Sequence, residues 1–374
     1  MLIVCSPEEL GLCPRRWALM LARAEELCRT GTIPALSLHV QRQGRTTGVH
    51  HFGTRKLNRP VAVDSHTLFL VASLTKPMVA MATLILVERG QMLLNQQVHE
   101  FLPEMKQAGK RAMTIRHLLT HTSGLPDMLP NNEELRNDHA PLSRFVEESC
   151  HTELIFPPGR TAQYQSMGYA LLGEIIQRVS GRSCADFLQQ ELFHPLGMTQ
   201  SFLGLPSDSP DHQRVAEIEL AEPLRSATSW NWNSAYWREL GAPWGGVLTT
   251  AEDLAKFLRM MLAGRNADQH SAPLSPESLR EAVENRLHDF AAIPDSERRA
   301  RGWGLGWRLN WKDHRHAFCD LLPNDVAGHW GATGTLFWID PAREMGVVLL
   351  GTRPLNDHPS PLTGLSNMIA AAFV

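Results

Sequence analysis

Ser73-Leu74-Thr75-Lys76-Pro77-Met78-Val79-Ala80-Met81-Ala82-Thr83-Leu84-Ile85-Leu86-Val87 is the most telling run in this chain. A three-residue spacing places Ser73 and Lys76 on one helix face, within reach for an amine to touch a hydroxyl. From Pro77 to Val87 the run is apolar on every side, the pattern of a buried helix. Burial makes a lysine costly to charge, lowers its pKa and frees it to act as a base. The pair therefore describes an activated serine nucleophile.

Proline is tolerated only in the first helical turn, so Pro77 predicts a helix that starts near Ser73, with Ser73 at or beside the N-cap. Glu88-Arg89-Gly90 supplies a polar exit and a glycine stop. A serine at such a terminus lies beside free backbone N–H groups, which favour an oxyanion. Ser-x-x-Lys is a common spacing in itself. Here the lysines are only Lys56, Lys76, Lys106, Lys110, Lys256 and Lys312, and Lys76 alone is set in a long apolar segment.

The 374 residues suggest two domains, or one large domain with an insertion. The formal net charge is -3 and no basic stretch alternates with aromatics, which argues against nucleic acid as a partner. No apolar run approaches the length of a membrane span. Arg15-Arg16 precedes a short apolar run, but Arg23, Glu25 and Glu26 follow at once, a poor signal peptide. Trp17, Met20, Leu21, Ala24 and Leu27 instead predict an amphipathic helix over 14–29. Cys5, Cys13, Cys28, Cys150, Cys184 and Cys319 form no C-x-x-C pair and no disulfide framework, so a cytoplasmic protein is expected.

Leu36, Leu38 and Val40 alternate with smaller or polar residues, and Gln43-Gly44 makes a turn into a second strand from Thr46 to Phe52. Near the other end, Trp303, Leu305, Trp307, Leu309 and Trp311 alternate before the turn Lys312-Asp313-His314 and a short strand through Phe318. Thr335 to Ile339 and Met345 to Leu350 flank Asp340-Pro341 as a further hairpin, and 361–373 reads as helix. Helices are expected at 114–120, 141–149, 167–180, 184–191 and 250–263. This is an α+β pattern, an α/β sandwich in which an antiparallel sheet built from both chain termini (1–72 and 301–374) carries flanking helices. A mostly helical insertion (73–300) would carry the nucleophile helix, with the active site at the interface. The polar stretch 264–300 reads as a mobile surface excursion.

A serine–lysine pair needs a further acid/base and an oxyanion hole. Tyrosine can serve as acid/base, because nearby cationic charge can lower its pKa. There are three tyrosines. Tyr169 lies within the apolar run 167–180 and suits the core, and Tyr236 lies among Trp230, Trp232 and Trp237. Tyr164 follows the turn Phe156-Pro157-Pro158-Gly159 and precedes a helix, a placement that suits a catalytic group. Gly328-His329-Trp330-Gly331-Ala332-Thr333-Gly334 brings three glycines to a strand edge, allowing close approach of another chain segment or a ligand. Backbone N–H groups there could complete an oxyanion hole with that of Ser73.

In order and spacing, Ser73-Leu74-Thr75-Lys76, Tyr164 after a Pro-Gly turn, and His329-Trp330-Gly331 resemble the serine β-lactamase-like family with its penicillin-binding-protein fold. The likeness is to the class C-related branch of family VIII-type esterases, D,D-peptidases, D-aminopeptidases and some acyltransferases. Ile115 to Pro126, Pro195-Leu196-Gly197-Met198 and Gly245 to Thr250 are similar as well, and the likeness covers roughly 30–352. The resemblance implies that Ser73 is acylated, that Lys76 and Tyr164 share the proton work, and that the N–H groups of Ser73 and Ala332 hold the oxyanion. It puts His329 where many relatives carry a lysine. Ser166, His329, Trp330 and Gly331 would meet a small ester or amide substrate, with no cofactor.

Two departures bear on substrate. Relatives usually carry Tyr-x-Asn, whereas Tyr164-Gln165-Ser166 ends in a serine that lacks the two-ended amide. Trp330 stands where a hydroxyl residue commonly binds a carboxylate. The expectation is a carboxylesterase for short or compact acyl esters, with β-lactamase, D,D-peptidase, D-aminopeptidase or acyltransferase activity as alternatives. A non-catalytic ligand-binding protein of the same fold is the rival of another class. No Gly-x-Ser-x-Gly supports an α/β-hydrolase triad. His117 and His121 are spaced i, i+4 but form no His-Glu-x-x-His, and support of the turn at Ser123-Gly124 is expected of them rather than a metal site.

Overall fold

The computed structural model describes residues 2–107, 109–222, 224–227, 229–263, 272–314, 317–354 and 360–374. Among the described residues ten strands occur in chain order: β1 (Ile3–Val4), β2 (Ala35–Arg42), β3 (Arg45–Gly53), β4 (Phe69–Leu70), β5 (Phe202–Leu203), β6 (Val247–Thr249), β7 (Arg308–Leu309), β8 (Ala327–Gly331), β9 (Thr335–Asp340) and β10 (Met345–Gly351). Seven form one sheet in the order β1-β3-β2-β10-β9-β8-β7. Its ladders are antiparallel except β1 with β3. The α+β architecture and the sheet drawn from both chain ends are those expected. The β2–β3 turn is as read: Gln43 (φ 52°) and Gly44 (φ 74°) both take the left-handed conformation that a two-residue hairpin requires.

Period-2 alternation sorts this sheet between two layers. Leu36, Leu38, Val347 and Leu349 pack beneath Trp17, Met20, Ala24 and Leu27 of the helix Pro14–Arg29 and Leu362, Leu365 and Ile369 of the helix Pro361–Ala372. Phe337, Ile339, Val348 and Leu350 face the other way, into a core shared with Phe257 and Leu258 of the helix Ala251–Ala263. The helices Ile115–Leu119, Leu142–His151, Met167–Ser180 and Cys184–Leu188 fall where expected, the last running on as a π-helical turn over Gln189–Phe193.

Four features depart from expectation. A second sheet, ordered β4-β6-β5, takes two of its strands, β5 and β6, from the stretch read as mostly helical. The alternating tryptophans of 303–311 yield only the two-residue β7, and Trp303 adds an isolated bridge to Arg308. No strand reaches Phe318, which lies in a loop with its N–H on Asn310 Oδ1; residues 315–316 are outside the described residues. Finally, 264–300 is not a bare excursion. Residues 264–271 lie outside the described residues, while the remainder forms the helices Pro276–Val283 and Asp295–Ala300 and buries Leu279, Leu287 and Ile293. No helix of the described residues is long and apolar enough to cross a membrane.

Both sheets fix the start of the lysine-bearing helix. After β4 the chain enters a 3-10 turn, Ala72–Leu74, and only then the α-helix Thr75–Glu88. Ser73 thus lies in the turn directly beside the N-cap, Leu74, as expected. From the small sheet, Val247 N–H donates to Thr75 Oγ1 at 3.0 Å and Val71 N–H donates to the Val247 carbonyl at 3.0 Å. From the large sheet, the Thr333 and Thr335 hydroxyls donate to the Leu70 and Val71 carbonyls at 2.6 and 2.9 Å.

Candidate active site

From Thr67 through Leu86 every residue is buried except Ser73. Ala72 just before it holds a positive φ of 48°, a conformation costing a non-glycine residue about 1 kcal/mol or more. The turn that presents the serine is therefore maintained by its surroundings. Lys76, one turn on, has no exposed surface. Its Nζ lies 3.1 Å from Ser73 Oγ and donates to the Trp244 carbonyl at 2.8 Å. Burial pulls the Lys76 pKa down to about 7, and the negative charge of Asp127 opposes that fall.

Tyr164 reaches Ser73 from the other side, its hydroxyl donating to Oγ at 2.7 Å. The Lys76 ammonium also lies 4.8 Å from the centre of the Tyr164 ring. The expectation of a tyrosine acidified by cationic neighbours is not met. Burial and then the Asp127 charge push the Tyr164 pKa up, outweighing its side-chain hydrogen bonding with Ser73 and Ser166 and the charge of Arg308. Tyr164 is accordingly protonated in the resting protein, with its hydroxyl hydrogen on Ser73 Oγ. Tyr169 is fully buried in the core, and Tyr236 bonds the Ala140 carbonyl at 2.9 Å.

Gly331 shows what the glycine-rich edge does. A Cβ there would collide with the Val71 carbonyl oxygen and Thr335 Oγ1, so glycine lets β8 lie against the strand end that leads into Ser73. Among the described residues, no turn or loop hydrogen bond takes the N–H of Ser73 or Ala332. Both residues are partly exposed between buried neighbours.

His329 has no exposed surface. Its Nδ1 lies 2.8 Å from the Trp330 carbonyl, and its ring packs against Tyr164 and Trp303. Burial and the nearby Lys76 hold its pKa well below the ordinary histidine value, so the ring is neutral. Trp330 is partly exposed and stacks on Tyr164 with ring centres 6.1 Å apart. Ser166 is buried, donating its hydroxyl to Asp127 Oδ1 at 2.7 Å, while its N–H donates to the Asp127 carbonyl at 3.2 Å.

Three contributors were not singled out in the sequence, and a fourth, His121, has a different role from the one expected. Asp127 joins the site through Ser166, and Trp244 through its carbonyl. Arg308, fully buried between Trp311 and Phe318, adds positive charge near Tyr164. His121 braces the tyrosine: Nδ1 accepts from Gln165 N–H at 3.1 Å and the ring packs 4.9 Å from that of Tyr164. It supports the tyrosine segment rather than the turn at Ser123-Gly124. His117 turns away, its Nδ1 accepting from Thr114 N–H at 3.0 Å. Among the described residues, no group of three or more His, Cys, Asp or Glu could hold a metal ion.

The fold is shared with known penicillin-binding-protein-like structures. A penicillin-binding protein homologue from Caulobacter crescentus aligns with a TM-score of 0.77 at 24% identity, over 97% of this chain and 99% of that one. A family VIII carboxylesterase aligns with a TM-score of 0.75 at 20% identity, over 97% and 98%. In sequence, Penicillin-binding protein 4 of Amycolatopsis lactamdurans is 33% identical over 301 residues, 78% of this chain and 71% of that protein. The family model described as Beta-lactamase matches residues 21–365, and the chain belongs to that family of serine hydrolases.

Proposed function

We propose that this chain is a carboxylesterase for short or compact acyl esters, acting through an acyl-enzyme on Ser73. The observation that carries the reading is the placement of Ser73 Oγ between Lys76 Nζ at 3.1 Å and the Tyr164 hydroxyl at 2.7 Å. Lys76, near neutrality, takes the Ser73 proton as Oγ attacks the ester carbonyl. The N–H groups of Ser73 and Ala332 receive the oxyanion. As the C–O bond breaks, Tyr164 protonates the departing alkoxide and regains a proton from Lys76. Water then attacks the acyl-enzyme, giving up a proton to the site as Ser73 Oγ recovers its own, and the acid leaves. On this reading the site lies between the terminal sheet (1–72 and 301–374) and the insertion 73–300.

Substrate choice follows from Trp330 and Ser166. An indole offers one donor and much bulk, and the Ser166 hydroxyl is spent on Asp127, so neither reproduces the polar contacts that suit a carboxylated amide. The name of the Amycolatopsis relative favours a second reading, acylation by β-lactams or D,D-peptides. A fluorophosphonate probe should label the wild type and spare Ser73→Ala, and failure to label would favour a non-catalytic binding protein. Faster hydrolysis of penicillins or cephalosporins than of short p-nitrophenyl esters would overturn the esterase reading.

A further inference from the structure

Asp127 is a half-buried carboxylate at the site that the mechanism above leaves unused. Its Oδ1 is fixed by the Ser166 hydroxyl at 2.7 Å, and Ser166 is two residues from Tyr164, whose own hydroxyl is 2.7 Å from Ser73 Oγ. Among the described residues Asp127 Oδ2 accepts no hydrogen bond and is not a buried unsatisfied atom, so it borders accessible space. No ion pair within 4.0 Å involves Asp127 among the described residues.

The neighbouring cations are committed elsewhere. Lys76 serves Ser73 and the Trp244 carbonyl. The Arg136 guanidinium stacks on Trp230 and Trp237 at 4.5 and 4.7 Å from the ring centres and contacts Met128 Sδ at 3.5 Å. Both sense the Asp127 charge without neutralising it by contact. A carboxylate anchored on one oxygen and open on the other is a receptor for a substrate cation.

We propose that Asp127, positioned by Ser166, recognises an ammonium group carried a few bonds from the scissile carbonyl, making this chain selective for amine-bearing esters. The proposal rests on the esterase reading and names its substrate class. An ammonium that pairs with Oδ2 replaces water on the carboxylate with a charge-assisted hydrogen bond in a partly desolvated place, where such bonds are strongest. A carboxylate on the substrate would be repelled there.

Isosteric pairs test this directly. Glycine and β-alanine ethyl esters are compared with ethyl propanoate and butanoate, which put a methyl group in place of the ammonium on the acyl side. 2-(Dimethylamino)ethyl acetate, whose protonated nitrogen keeps an N–H donor, is compared with 3-methylbutyl acetate, its uncharged isostere on the alcohol side. The readout is the ratio of kcat/KM for the charged to the neutral member, in wild type and in Asp127→Asn, which keeps an acceptor for Ser166. The wild-type ratio should exceed that of Asp127→Asn by roughly 10- to 100-fold in one pair series, and the series that responds identifies the side of the ester that carries the cation. Asp127→Glu should retain part of the selectivity. A ratio that Asp127→Asn leaves unchanged in both series overturns the proposal. Fluorophosphonate labelling of each variant separates outcomes: labelled protein with no change in ratio defeats the cation site alone, whereas unlabelled wild type defeats the hydrolase reading beneath it.

Discussion

Lys76 Nζ donates to the carbonyl of Trp244 at 2.8 Å, and that bond orients the amine. A neutral lysine has two N–H donors and one lone pair, so with one donor on Trp244 the lone pair can turn to Ser73, 3.1 Å away. The chain of hydrogen bonds then runs from Tyr164 to Ser73 to Lys76, the polarity that the proposed mechanism requires. Protonation of Lys76 reverses the last link and disables it.

A pH profile follows. As the proposed base, Lys76, with its pKa lowered to about 7 by burial, would act only when unprotonated. On a neutral ester, kcat/KM should rise about tenfold per pH unit below that value and level off above it. Because the Tyr164 pKa is raised, no alkaline fall from tyrosine ionisation should occur below about pH 10. A profile flat from pH 5 to 9, measured at saturating buffer capacity, would remove Lys76 as the base.

The same burial has a cost in stability. Between the folded value of about 7 and an unfolded value of about 10.4, the unfolded chain holds a proton that the folded chain has lost. Stability should therefore rise as pH is raised through that window, and the full penalty, on the order of a few kcal/mol, applies below it. Lys76→Met removes the titrating group while filling similar volume. It should abolish ester hydrolysis, unfold at higher temperature than wild type near pH 6, and lose the alkaline gain. A less stable Lys76→Met would show that the amine contributes net stability.

The fold was legible where local chemistry and tertiary packing agree. Gln43-Gly44 specified a hairpin because both positions need positive φ, and the run 75–88 read as buried helix because no polar stripe interrupts it. The small sheet was hidden, since strands of two or three residues such as Phe69–Leu70 carry no period. The tryptophans of 303–311 misled because nearly the whole stretch is buried, so alternation there did not mark a two-faced strand. Ser73, Lys76 and Tyr164 stood out through burial pattern, proline placement and a count of three tyrosines. Asp127 did not, because its partner Ser166 is 39 positions away and nothing in the spacing links them.

Gly331 and Gly245 both lie close to the Ser73 turn but differ in room. Alanine at 331 drives a methyl group into the Val71 carbonyl, two residues before Ser73, whereas at 245 it would meet Ala72 at an ordinary 3.7 Å. Gly331→Ala should cost roughly 1–3 kcal/mol in thermal unfolding and lower kcat by displacing the nucleophile, while Gly245→Ala should unfold near the wild-type temperature. Equal stability of the two variants would mean that β8 can recede without strain.

Tyr164→Phe separates the tyrosine's two roles, bonding Ser73 and protonating the leaving group. The ring contacts with His121 and Trp330 survive the change, so the loss is confined to the hydroxyl. An ethoxide leaving group needs a proton in the transition state, and general-acid help of that kind contributes about 10²- to 10⁴-fold. A p-nitrophenolate departs without it. The variant should thus lose two orders of magnitude or more on ethyl esters but only about tenfold on p-nitrophenyl esters, the smaller loss reflecting the hydrogen bond to Ser73 Oγ. Equal losses on both esters would assign Tyr164 to activation of the nucleophile instead, and the proton for the alkoxide would then have to come from Lys76.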